Sequence, residues 1–136
     1  MTVPEVIRWI EEVHGIEGVS LSGGEPFDQA PGLAKVAAAA RNLGLGVLIF
    51  TGYCWGELEQ GQYPGWPALI DQSDLLVAGP YEQENLGTHP LLASVNQELV
   101  FLTDRYSNCE FGSTRRLEFR IGSDGTVRRS GLGTGR

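Results

Sequence analysis

The chain has 136 residues, 41% of them hydrophobic and 20% charged, which is the material of one packed domain and too little for two. Acidic residues outnumber basic ones seventeen to ten, for a formal net charge of −7, and Lys35 is the only lysine. So thin a basic field cannot neutralise many phosphates, so neither nucleic acid nor an anionic membrane surface is an expected partner. No apolar run approaches the length of a bilayer span, and no charged-then-apolar leader opens the sequence. Two cysteines, Cys54 and Cys109, cannot build a disulfide scaffold, and the expectation is a cytoplasmic protein with free thiols.

In chain order, Thr2 and Glu5 stand three apart, the spacing of a capping box, with Pro4 tolerated in the first turn. Val6, Trp9, Ile10 and Val13 then recur on one helical face, and Gly15 is placed to close that helix in the left-handed conformation. Gly18 to Ser22 reads as a short strand ending in Gly23-Gly24. A second helix is predicted from about Asp28 to Leu43, burying Leu33, Val36, Ala37, Ala40 and Leu43 and stopped by Gly44. Leu45 to Phe50 scarcely alternates, as in a strand buried on both faces of a parallel sheet. Trp55 to Glu59 and Trp66 to Gln72 read as short helices around the loop 61–65. Asp74 to Ala78 is another buried strand, stopped by Gly79-Pro80, and residues 81–90 form a polar loop. Gln97 to Thr103 has strand character. Leu117 to Ile121 and Thr126 to Arg129 flank Gly122-Ser123-Asp124-Gly125, whose Asp-Gly step signals a hairpin. The predicted organisation is one α/β domain over residues 1–130 and a disordered tail over 131–136.

Helices and strands alternate as in a parallel α/β sheet. The alternation opens with a helix, although a crossover helix normally lies between two strands. Either the first helix simply covers a sheet face, or a strand and its loop are missing at the front; the pattern fits both. The edge left by a missing strand makes self-association an expectation.

In open parallel sheets and in barrels, ligands bind at the carboxyl ends of the strands. Here those ends carry Ser22-Gly23-Gly24-Glu25-Pro26, Thr51-Gly52-Tyr53 and Ala78-Gly79-Pro80-Tyr81. Two glycines let the backbone approach a ligand closely, and a carboxylate beside exposed carbonyls suits an ammonium group. A bare Gly-Gly-Glu describes equally well a tight turn with an acid at the start of a helix.

The longer string Gly18-Val19-Ser20-Leu21-Ser22-Gly23-Gly24-Glu25-Pro26-Phe27, with Gln29-Ala30, resembles the second-strand motif of radical S-adenosylmethionine (SAM) activating enzymes. Ile49 to Tyr53 is similar to their third-strand motif, Asp74 to Tyr81 to the next strand, and Ser94-Val95-Asn96-Gln97 with Phe101 to Tyr106 to a late Ser-Asn-Gln block. The group most resembled is the anaerobic ribonucleotide reductase activating protein, among the glycyl-radical activating enzymes. The resemblance implies a partial (β/α) barrel-like parallel sheet with flanking helices, to which the sequence adds a C-terminal β-hairpin. It implies SAM bound across the strand ends, with Ser22, Gly23, Gly24, Glu25, Thr51 and Gly52 as cofactor-binding residues. Gly23, Gly24 and Glu25 would receive the methionine amino group, Thr51 and Gly52 would lie near the methionine end, and Asn96 and Gln97 near the active-site mouth. It further implies a [4Fe-4S] cluster that reduces SAM and a glycyl-radical enzyme as partner.

Two departures stand out. The cluster motif of that family, Cys-x3-Cys-x2-Cys, is absent, and Cys54 and Cys109 lie far apart, whereas clusters need several converging thiolates. The missing motif belongs ahead of Thr2, the gap that the missing strand also marks; it is either truncated from this sequence or naturally lost. Ala78 stands where the family commonly has Asp. The expectation is therefore a radical SAM activating-enzyme domain inactive as given, and the alternative is a degenerate, non-catalytic SAM-fold module. A zinc site from Cys54, Cys109, His14 and His89 lacks the short ligand spacing of a finger. His14 reads instead as a capping residue, His89 as a loop residue, and Trp9, Trp55 and Trp66 as packing residues rather than a stacking platform. Arg115-Arg116 and Arg128-Arg129 decorate the hairpin.

Overall fold

The computed structural model describes residues 2–61, 63–80 and 97–106, together with the backbone of 116–121 and 127–130. Three strands with near-continuous apolar content, β1 (Gly18–Gly23), β2 (Gly46–Thr51) and β3 (Leu75–Ala78), lie side by side and parallel. The edges are antiparallel. β4 (Glu98–Phe101) runs against β3, and β6 (Val127–Ser130) runs against β5 (Arg116–Ile121) as the second arm of the predicted hairpin. The six strands form one open mixed sheet in the order β4-β3-β2-β1-β5-β6. The Asp-Gly turn of the hairpin and the segment 131–136 fall outside the described residues.

β5 pairs in parallel with the whole of β1, from Gly18 opposite Arg116 to Gly23 opposite Ile121. The strand that pairs along that side of β1 comes from far along the chain.

Among the described residues, four helices and one 3-10 turn cover one face. α1 (Val3–Glu12) is capped by Thr2, whose hydroxyl accepts the Glu5 N–H at 3.3 Å. Its C-cap is Val13 in extended conformation, so the helix ends before His14, and Gly15, left-handed as expected (φ 78°), sits beyond the end, where the chain turns towards β1. The 3-10 turn Pro26–Gln29 precedes α2 (Ala30–Asn42). The predicted helix start at Asp28 thus belongs to the 3-10 turn, and Pro31, lacking an N–H, takes a first-turn position of the α-helix. Leu43, expected in the buried stripe, is 48% exposed. It is the C-cap residue, where helical periodicity no longer applies, and Gly44 (φ 80°) then turns the chain. Two short helices follow, α3 (Trp55–Glu59) and α4 (Trp66–Asp71). No described helix is long and apolar enough to cross a membrane.

The main core lies between the helices and the sheet. Val6 and Ile10 of α1, Leu33, Val36, Ala37 and Ala40 of α2 and Leu69 of α4 pack with Val19, Leu21, Val47, Ile49 and Leu76. Burial of each large aliphatic side chain contributes about 1.5–3 kcal/mol. The alternate residues Leu48, Leu75 and Val77 join Tyr106 in a smaller cluster. On β1, the neighbour of Leu48 in the register is Ser20, so this second face turns polar there.

The amino end of the sheet is locked by polar contacts. Asp74, buried just before β3, accepts the Val47 N–H at 2.8 Å and the Thr103 hydroxyl at 2.7 Å. Arg105 donates to the carbonyls of Gly44 (2.6 Å) and Glu17 (3.3 Å). The Tyr106 ring lies over the first residues of β1 and β2. A Cβ at Gly18 or Gly46 would run into its hydroxyl, which explains the glycine at both positions.

Candidate functional site

The parallel pairing of β1 and β2 brings Ser22-Gly23-Gly24-Glu25 and Thr51-Gly52 to one rim of the sheet. Gly23 has φ 98°, a left-handed value that a side chain would oppose, and the turn it makes delivers Glu25 across the end of β2. One carboxylate oxygen of Glu25 accepts the Thr51 hydroxyl at 2.7 Å and the Phe27 N–H at 2.9 Å; the other accepts the Gly52 N–H at 2.7 Å. Glu25 is therefore both the cap of the turn that precedes α2 and a stitch between two strand ends. A carboxylate has about four acceptor directions, so three protein bonds leave one for a ligand donor.

The network continues along the rim. The Thr51 hydroxyl also accepts the Tyr53 N–H at 3.1 Å, and the Thr51 carbonyl accepts the Gly79 N–H at 3.1 Å. The Gly79 carbonyl accepts the Gln97 side-chain amide at 3.1 Å. The structure thus brings Glu25, Thr51, Gly52 and Gln97 into one chain of contacts, with Gly23 and Gly24 in the turn between β1 and Glu25. Asn96 lies outside the described residues. Ala78 is buried, with Thr51 as its register partner on one side and Glu98 on the other.

Among the described residues, the buried hydroxyls of Ser20 and Ser22 have no hydrogen-bond partner. Leaving a buried hydroxyl unpaired costs about 1–3 kcal/mol, and native structures keep few such groups without a reason. Two occur here at spacing two on one strand, so both point to the same face of β1. Ser20 was not singled out from the sequence. Its signal was available, since two polar residues alternate within a strand otherwise read as apolar.

The predicted packing roles of the tryptophans hold. Trp66 is buried and donates its indole N–H to the Phe27 carbonyl at 2.8 Å, and Trp9 and Trp55 are partly buried against the main core. Asp28 accepts the Tyr53 hydroxyl at 2.8 Å. That bond, with burial and the nearby Asp28 and Glu25 charges, pushes the Tyr53 phenol up to about 12.

The residues present do not fit the [4Fe-4S] cluster that the resemblance implies. Cys54 is exposed at the start of α3, Cys109 lies outside the described residues, and two thiols are fewer than the family's three. Among the described residues, no group of three or more His, Cys, Asp or Glu side chains stands close enough to hold a metal ion. The alternative zinc set includes His89 and Cys109, both outside the described residues.

Neither a curated protein nor a solved structure matches the sequence. Residues 2–100 match a family model described as a 4Fe-4S single cluster domain. The match runs from the cap of α1 into β4 and takes in the whole rim, so most of the chain is covered. The chain therefore belongs to the 4Fe-4S single cluster domain family, an iron–sulfur family of the radical-SAM-like kind.

Proposed function

We propose that this chain is the SAM-binding domain of an activating protein that serves a glycyl-radical enzyme, and that the rim around Glu25 holds the methionine end of SAM. The observation that carries this reading is the Glu25 carboxylate, held at the strand ends by Thr51, Gly52 and Phe27 with one acceptor direction left, together with the Ser20 and Ser22 hydroxyls of β1, which have no hydrogen-bond partner among the described residues. An α-ammonium is a donor that suits Glu25 and the carbonyls of the Gly23-Gly24 turn. The two serine hydroxyls offer donors to oxygen atoms of the same ligand. Thr51 and Gly52 act by holding the Glu25 carboxylate in place. SAM supplies an alkylsulfonium whose carbon–sulfur bond breaks to a carbon radical when an electron is delivered. In this reading the described residues bind and orient SAM, and the electron comes from outside them.

A second reading, a non-catalytic module of the same fold, is favoured by Ala78 in place of the family Asp and by the count of two cysteines. Calorimetric titration with SAM separates the two. The first reading expects weak, saturable binding by the wild type that falls about ten- to a hundredfold in Glu25→Gln, the worth of one charge-assisted hydrogen bond. Equal binding by both removes Glu25 from the site, and no binding by either leaves the module reading.

A further inference from the structure

A second concavity opens next to the rim, on the helix-covered side of the sheet. It has a volume of about 440 Å³ and is lined by Phe27, Asp28, Pro31, Tyr53, Tyr63, Pro64 and Trp66. Trp66 forms its floor. The Tyr53 and Tyr63 ring centres each lie 4.7 Å from that of Trp66, tilted by 58° and 50°, and Phe27 meets Trp66 edge-on at 5.6 Å. Tyr63 keeps 57% of its surface in solvent, an uncommon exposure for a ring held in an aromatic cluster. Its loop is fixed by Gly65 (φ 85°), where a Cβ would collide with the backbone nitrogen of Pro31, so the loop lies directly on the first turn of α2.

Among the described residues of the lining, Asp28 supplies the single formal charge, and no basic side chain accompanies it. Its bond from the Tyr53 hydroxyl orients both groups at the pocket wall. Four aromatic rings and one carboxylate are complementary to a flat cation. A guanidinium stacks on aromatic faces and pairs with a carboxylate through its planar fork, whereas an ammonium is more strongly hydrated and gains less. The net charge of −7 favours approach of a basic segment.

We propose that this pocket receives an arginine side chain presented by a partner protein. Phe27 itself donates its N–H to Glu25, and Tyr53 follows Gly52, which donates to the same carboxylate, so a partner anchored here lies against the rim. The proposal does not depend on SAM binding, and its test is run without SAM.

The full chain, labelled with nitrogen-15, is titrated with acetyl-Gly-Arg-Gly-amide while the indole N–H resonance of Trp66 and the backbone resonance of Tyr63 are followed. Saturable shifts of both are expected. The citrulline peptide, of the same shape without the charge, is expected to bind at least about tenfold more weakly, and the lysine peptide several-fold more weakly. Asp28→Asn and Tyr63→Ala, both exposed positions, are each expected to weaken the arginine peptide about tenfold at an unchanged melting temperature. The proposal is overturned if the arginine peptide leaves Trp66 and Tyr63 unshifted at 20-fold excess and above, if citrulline or lysine binds equally well, or if Asp28→Asn binds as the wild type does.

Discussion

At the amino end of the sheet the carboxylate of Asp74 accepts a backbone N–H from β2 and a threonine hydroxyl from the chain after β4; at the carboxyl end the carboxylate of Glu25 accepts a backbone N–H and a threonine hydroxyl from the end of β2. The two acids make nearly the same bonds, yet their surroundings differ. Asp74 is buried, with the Tyr106 ring and the Arg105 contacts packed at the same end. Glu25 is only partly buried, follows a turn of two glycines, and on the strand that leads to it stand two hydroxyls with no partner among the described residues. An acid that joins strands is a structural latch when its neighbours are satisfied. The same device, near hydroxyls that have no partner among the described residues, is where the proposed ligand site is put.

That contrast can be broken most readily at Asp74. Asp74→Ala leaves the Val47 N–H and the Thr103 hydroxyl without their acceptor in a dry environment, and a loss of about 3 kcal/mol of stability is expected in denaturant unfolding. A loss below about 1 kcal/mol would show that the amino end is not a latch. At Glu25 the larger effect should fall on the ligand. Glu25→Gln should lower SAM affinity about ten- to a hundredfold, while its unfolding free energy falls by only about 1 kcal/mol, because solvent replaces part of what is lost. If the stability loss matches that of Asp74→Ala while SAM binding stands, the two acids play one role and the contrast is void.

Ser22→Ala sharpens the same point at smaller amplitude. Removing a hydroxyl that has no partner relieves a desolvation cost, so stability should hold or rise slightly, whereas SAM affinity should fall about three- to tenfold. A stability loss above about 1 kcal/mol would reveal a bond that the hydroxyl makes within the fold. The smallest effect concerns Tyr53. Its raised pKa follows first from the hydrogen bond to Asp28, so in Asp28→Asn the tyrosinate absorbance of Tyr53 should appear nearer pH 10 than the wild-type value of about 12. Because the neutral phenol is the favoured form in the fold, its contribution to stability is whole below pH 10 and fades as the pH climbs from 10 to about 12. A Tyr53 titration unmoved by Asp28→Asn would discard that bond as its cause.

The elements with strong local signals were legible in the sequence. The apolar runs at Val47 to Phe50 and Leu75 to Val77 became buried parallel strands, α2 buries Leu33, Val36, Ala37 and Ala40, and α3 begins and ends as read. The rim was legible as a string, because Gly23, Gly24 and Glu25 are consecutive and their chemistry is local. What tertiary structure decided lies between residues distant in sequence. No local pattern announces that β5 completes the β1 edge, since strand pairing is set by sheet geometry and burial rather than by the pairing residues alone. Nor does the string reveal that Glu25 is already engaged by Thr51 and Gly52, or that Tyr63 and Asp28 share a pocket with Trp66. Sequence by itself determined which residues make strands and helices and which motif stands at a strand end, because those depend on periodicity and short-range turn chemistry. Only the folded sheet decided which donors each carboxylate meets and which hydroxyls go without, because satisfaction of a polar group depends on every element packed around it.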